Sequence, residues 1–167
     1  LMILASLAIG TASLRRAIDP VREAELCQAL TEVPSRANEI LMHDELIAEL
    51  AHEVMDASDV LFLGRGTGYP IALEGAMKLK EISYIHAQGY AAGEMKHGPI
   101  ALAESDVPVV AIATKGLLRD KTLNAVEQVR ARGAPVILIA TEGDERAAEV
   151  AEHVVYVPET SEALVPI

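Results

Sequence analysis

Two carboxylates, a lysine and a histidine fall within one stretch, EGAMKLKEISYIHAQGYAAGEMKHGP, Glu74 to Pro99. Together they are the parts needed to move a proton beside a carbonyl. Glu74, Lys78 and Glu81 are spaced four and three apart, which on a helix lines them along one face. A carboxylate held beside a lysine in a partly dry cleft is a general base whose proton affinity its neighbours set. Met77, Leu79, Ile82 and Ile85 cover much of the remaining surface, so the helix is expected to be largely packed around that stripe. His97, in Lys96-His97-Gly98-Pro99, sits where Gly-Pro stops a helix, and an imidazole there can pass protons near neutral pH. Spacing alone leaves a second reading open for each: a solvated ion-pair stripe, and an ordinary loop histidine.

The other chemistry-bearing residues are less organised. Gly64-Arg65-Gly66-Thr67-Gly68-Tyr69-Pro70 follows an apolar run and opens a helical one. Its free amides can cradle an anion at a helix N-terminus, or its glycines can simply make a tight βα turn. The spacing is neither the dinucleotide fingerprint nor a P-loop. His43, His52, His86 and His153 are scattered, without the helical pair and carboxylate that suggest zinc. Neither a metal nor a redox cofactor is expected. The single cysteine, Cys27 in VREAELCQAL, reads as a small buried thiol. One cysteine allows no intrachain disulfide, which fits a reducing, cytoplasmic compartment.

These groups need a scaffold, and the hydrophobic pattern describes one. From Asp59 the chain runs in short apolar segments closed by turn residues: DVLFLGRG, VPVVAIAT, PVILIAT and HVVYVP. Strands apolar on both faces belong to a buried parallel sheet. Helices are predicted at Pro70 to Ile85, Leu117 to Arg132 and Asp144 to Glu152, with a fifth strand at His86 to Tyr90. Alternating strand and helix makes a doubly wound α/β domain with helices flanking the sheet. Upstream, Leu26, Leu30, Val33, Ile40, Leu46, Ile47, Leu50 and Val54 repeat at helical spacing from Pro20 to Met55, with an interruption predicted at Pro34. The first residues, LMILASLAI, lack a basic leader and are too short to cross a bilayer. They read as the end of a helix from something larger, and the closing SEALVPI also looks cut. Residues 1–19 are therefore expected to end a preceding domain and form a linker, and 20–167 to form one α/β domain.

Composition narrows the function. The 167 residues, 51% of them hydrophobic, suffice for one domain with a core. Fourteen Lys and Arg against 25 Asp and Glu, a net charge of -11, argue against a nucleic-acid groove, which needs clustered cations. Aromatics at 3% leave few platforms for stacking bases. A small anionic ligand needs only a local donor set and stays open.

The run LGRGTGYPIALEGAMKLKEISYIHAQGYAAGEMKHGPIAL, Leu63 to Leu102, closely resembles the second sugar-isomerase (SIS) domain of the glutamine:fructose-6-phosphate amidotransferase family. Weaker similarity extends over nearly the whole chain, including VRARG at Val129 to Gly133. The resemblance implies a flavodoxin-like, five-stranded parallel sheet of order 2-1-3-4-5. It implies an enzyme that attaches glutamine-derived ammonia to fructose 6-phosphate and isomerises the product to glucosamine 6-phosphate. Glu81 then matches the base that moves a proton between C1 and C2, and Lys78 a group that orients or polarises. His97 matches the histidine that promotes ring opening in a neighbouring subunit's site, so a homodimer is implied, and Glu74 matches a site-lining glutamate. A glutaminase domain, a first SIS domain with the phosphate-binding loop, and a tail with an imine-forming lysine are expected outside this chain. A fragment of this kind is expected to be inactive alone and to bind the sugar phosphate weakly. Two other readings remain: a two-SIS-domain glucosamine-6-phosphate deaminase, and a non-catalytic sugar-phosphate sensor.

Overall fold

The computed structural model describes residues Leu1–Ile167. Three helices lead in: α1 (Met2–Leu14), α2 (Pro20–Leu41) and α3 (Asp44–Val54). The remainder alternates as β1 (Asp59–Gly64), α4 (Gly68–Ser83), β2 (His86–Ala91), β3 (Val109–Ala113), α5 (Arg119–Arg130), β4 (Val136–Thr141), α6 (Glu145–Val150) and β5 (His153–Val157). Short 3-10 helices at Ala92–His97 and Pro99–Leu102 link β2 to β3. The five strands form one sheet of order β2-β1-β3-β4-β5, with every pairing parallel. Each predicted strand is present, including the edge strand at His86.

The sheet is built from near-continuous apolar runs because both of its faces are covered. On one face, Leu63, Ala111, Val136, Leu138 and Ala140 pack with Leu123, Val126 and Val129 of α5, and with Ala147 and Val150 of α6, in a core of 19 buried residues. On the other face two smaller clusters form, Leu50 of α3 with Ile137 and Val155, and Ala76 of α4 with Val60 and Ala87. Helices on both faces make the fold doubly wound.

Two local expectations are corrected. First, α2 runs 22 residues straight through Pro34. An interior proline costs a helix about 3 kcal/mol or more through a lost hydrogen bond and a ring clash. Here the proline is exposed, so the orphaned carbonyl one turn back can be hydrated, and Arg36 pairs with both Glu32 and Glu39 across the site. Second, Cys27 is exposed. α2 packs on α1 and buries only Leu26, so the neighbouring position, about 100° further round the helix, faces outward. No helix is long and apolar enough to cross a membrane.

Candidate functional site

α4 places three of the four candidate residues. Its buried positions are Gly68, Ala72 and Ala76, a small-residue face that lets the helix lie close on β1 and β2. The fit is tight. A methyl group added at Gly75 would come within 2.8 Å of the Phe62 ring, and one at Gly89 within 3.0 Å of the Leu73 backbone. The β1–α4 turn depends on glycine too, since a Cβ on Gly64 would lie 2.1 Å from the Gly68 carbonyl oxygen. The glycines of this turn thus have a structural task. The space over the turn, lined by Arg65, Thr67, Gly68, Lys115 and Glu162 among others, is about 20 Å³, room for about one water.

With that face pressed on the sheet, Glu74, Lys78 and Glu81 point away from it. The Lys78 ammonium donates to Glu81 Oε2 at 2.8 Å and lies 3.9 Å from Glu74 Oε1. The hydrogen bond to Glu81 raises the Lys78 pKa above its ordinary value, aided by the Coulomb attraction of Glu81 and then Glu74. Lys78 is therefore a fixed cation, and Glu81 accepts its hydrogen bond.

The expected packing around this stripe is found only in part: Leu79 and Ile85 pack against Val60, Ala76 and Ala87, but the stripe itself stays in solvent. The side chains of Lys78, Glu74 and Glu81 are 56%, 54% and 52% exposed, and Leu73, Met77 and Ile82 on the same helix are exposed as well. The reason is geometric: an Ala/Gly face is narrow, so the helix buries a thin strip and leaves Met77 and Ile82 outside it. Apolar content predicted burial, but the fully buried positions of the helix are its smallest residues, with Leu79 only partly buried beside them.

His97 ends the first of the two 3-10 helices, which is anchored by buried Ala92 and Met95. Gly98 at φ 135° turns the chain, and Pro99 starts the second 3-10 helix. Gly-Pro does stop the helix, as expected. The imidazole is exposed. The structure brings Glu74, Lys78 and Glu81 together; it does not bond His97 to any of them. None of the four lines the main cavities of the chain. As a set they offer a positioned carboxylate beside a cation on a rigid helix, and a free imidazole on a separate segment. No three His, Cys, Asp or Glu side chains converge as metal ligands.

One ionic centre escaped the sequence reading. Arg119 binds Asp144 in a two-pronged pair, through Nε to Oδ2 at 2.7 Å and through Nη2 to Oδ1. Asp144 also caps α6 by accepting from the Ala147 amide. The Arg119 hydrogen bond, above all, holds the Asp144 carboxyl below the usual carboxylate range. Asp144 stood out only as a residue type common before helices, and its partner lies 25 residues away.

Comparison with known proteins agrees with the fold. A model of the SIS domain family matches residues 53–167. The chain is 48% identical over 165 residues to glutamine–fructose-6-phosphate aminotransferase (isomerizing) of Brucella abortus, covering 98% of this chain and 27% of that protein. The Thermus thermophilus protein of the same description is 48% identical over 167 residues, covering 100% and 28%. Among solved structures, the C-terminal domain of glucosamine-fructose-6-phosphate aminotransferase from Francisella tularensis superposes with a TM-score of 0.91 at 34% identity, covering 96% of this chain and 46% of that one. The chain thus spans a little over a quarter of the length of the curated relatives it matches.

Proposed function

The chain belongs to the SIS domain family, and from that premise we propose that it is the second SIS domain of a glutamine–fructose-6-phosphate aminotransferase. The whole protein joins glutamine-derived ammonia to C2 of fructose 6-phosphate and then isomerises the resulting ketimine. In that step Glu81 takes a proton from C1 and returns one to C2, giving the aldose amine, glucosamine 6-phosphate. Both transfers suit one carboxylate on a rigid helix, because the two carbons are adjacent and a fixed base reaches both without rearrangement. Lys78, a permanent cation bonded to Glu81, orients that carboxylate and stabilises negative charge developing on the substrate. Glu74 completes the stripe and lines the sugar site.

His97 assists ring opening by passing a proton between the ring and hydroxyl oxygens. It serves the site of the second copy in a homodimer, which suits its place on a separate exposed segment. Residues 1–19 close a first SIS domain and lead into this one at 20–167. The first SIS domain, the glutaminase domain and the C-terminal tail complete the machinery in the whole protein, and a lone exposed thiol suits a reducing cytoplasm.

The observation that carries the reading is the Glu74–Lys78–Glu81 ladder, presented outward on a helix whose other face is locked to the sheet. Glu81→Gln in the whole protein tests it. Product formation should fall by about 10²–10⁴, the usual worth of a positioned base, while fructose 6-phosphate still binds. A variant that keeps its turnover would remove Glu81 from the reaction, and with a response intact it would point to a sensor instead.

A further inference from the structure

Between the carboxyl end of β1, the 3-10 helix Ala92–His97 and α5 lies an open cavity of about 260 Å³. Its lining runs against the character of a chain with net charge -11: Arg65, Lys96 and Lys121 face it beside Asn124 and Gln128, and no carboxylate does. Several cations elsewhere are matched by carboxylates. Lys78 holds Glu81, Lys115 holds Glu159, Arg119 holds Asp144 and Arg146 holds Glu127. Arg65, Lys96 and Lys121 take part in no such pair.

The space is built by small residues. Lys121, Asn124, Ala125 and Gln128 follow one another on a single face of α5, and Ala92, Gly93 and Ala125 form the rest of the lining, so no large side chain fills the gap. The approach at Gly93 is close, because a Cβ at that position would come within 3.2 Å of the Arg65 guanidinium. The arginine therefore lies directly against the 3-10 segment. Three cations sharing one cavity without a counter-charge repel one another, and a bound oxyanion reverses the sign of that interaction. A guanidinium fork with two ammonium groups suits phosphoryl oxygens, which accept several charge-assisted hydrogen bonds at once. The volume lies just under the ~300–1,000 Å³ of ordinary ligand pockets, enough for a charged head group.

We propose that this cavity is an anion site for a phosphoryl group, a phosphate monoester or diphosphate, clamped by Arg65, Lys96 and Lys121. The proposal does not rest on the catalytic roles assigned to Glu81 and His97. It has a consequence for the second of these: an anion bridging Arg65 to Lys96 ties the segment that ends in His97 to the end of β1.

The test is titration of the 167-residue chain with inorganic phosphate and with pyrophosphate, at ionic strength held constant with chloride, following backbone amide shifts by NMR. Saturable shifts centred on Gly93, Lys96 and Lys121 are expected for at least one of the two anions. The double variant Lys96→Ala/Lys121→Ala, at exposed positions, should weaken binding at least tenfold. Gln128→Glu, which puts a carboxylate into the cavity without removing a cation, should weaken it by a similar factor. Unsaturable shifts spread over the surface with both anions, or saturable binding that both variants leave within twofold, would overturn the proposal. Circular dichroism of each variant reports whether the fold is intact, and Gln128→Glu serves alone where the double variant does not fold.

Discussion

The two flanks of the sheet use charge in opposite ways. On the α5–α6 flank, Arg119 is 24% exposed and its partner Asp144 8%, Arg146 reaches Asp120 and Glu127, and Arg130 donates to the Glu149 carbonyl. Charges there tie one helix to the next over a core of fully buried Leu123, Val126 and Val129. On the other flank the ionic contacts of α4 run along that one helix and touch no neighbouring element, although Glu53 of α3 reaches His153 of β5. Beside them Ile82 is 79% and Tyr84 93% exposed. One flank spends its charges on holding the fold, and the other leaves them free to meet a ligand or another part of a larger assembly. Stability and function should therefore separate by flank under mutation.

The largest expected effect is the loss of turnover in Glu81→Gln described above. Its thermal midpoint should match the parent, since surface substitutions away from special features usually change stability by less than about 0.5 kcal/mol. A large fall in midpoint would break the contrast between flanks. Next comes Leu123→Ala in α5, which deletes a fully buried side chain and should cost about 2–5 kcal/mol in denaturant unfolding. A cost below 1 kcal/mol would show that the α5 flank is looser than drawn.

Asp144→Asn follows. It keeps a capping side chain for α6 but removes the charge facing Arg119. Because Asp120 still pairs with Arg119, the cost should fall near the low end of the ~3–5 kcal/mol found on stripping one partner from a buried pair. The pH dependence has a definite sign. Asp144 has a folded pKa below its ordinary value, so its contribution is fully present above the unfolded carboxylate value of about 3.9 and is lost as pH falls through the folded value. The parent should gain stability over the variant as pH rises from 2 to 5, and parallel curves would refute the linkage. The smallest effect is expected for Lys78→Met, with an unchanged midpoint and a measurable drop in turnover of the whole protein. Equal turnover would reduce the lysine to a solvated partner of Glu81.

Much of this architecture was legible before any coordinates. The parallel strands announced themselves as apolar runs such as VPVVAIAT and PVILIAT, because a strand covered on both faces must be apolar throughout. The Glu74–Lys78–Glu81 stripe was equally plain, since helical spacing alone puts those side chains in reach. Reading failed where exposure was the question. Cys27 and Ile82 looked buried by residue type, and Pro34 looked like a break. Each was decided by which face of its helix meets a neighbour, and by how little of α2 and α4 is covered.

The sequence by itself determined the local things: strand and helix periods, the turn glycines, and the alignment of one carboxylate–lysine ladder. These depend on residues a few positions apart, where backbone geometry leaves little choice. Tertiary structure alone decided which residues distant in sequence share a space. It joined Arg119 to Asp144 and brought Arg65, Lys96 and Lys121 around one cavity. Such meetings depend on strand order and helix docking, which place residues from separate βα units side by side and leave no mark on the spacing within any one of them.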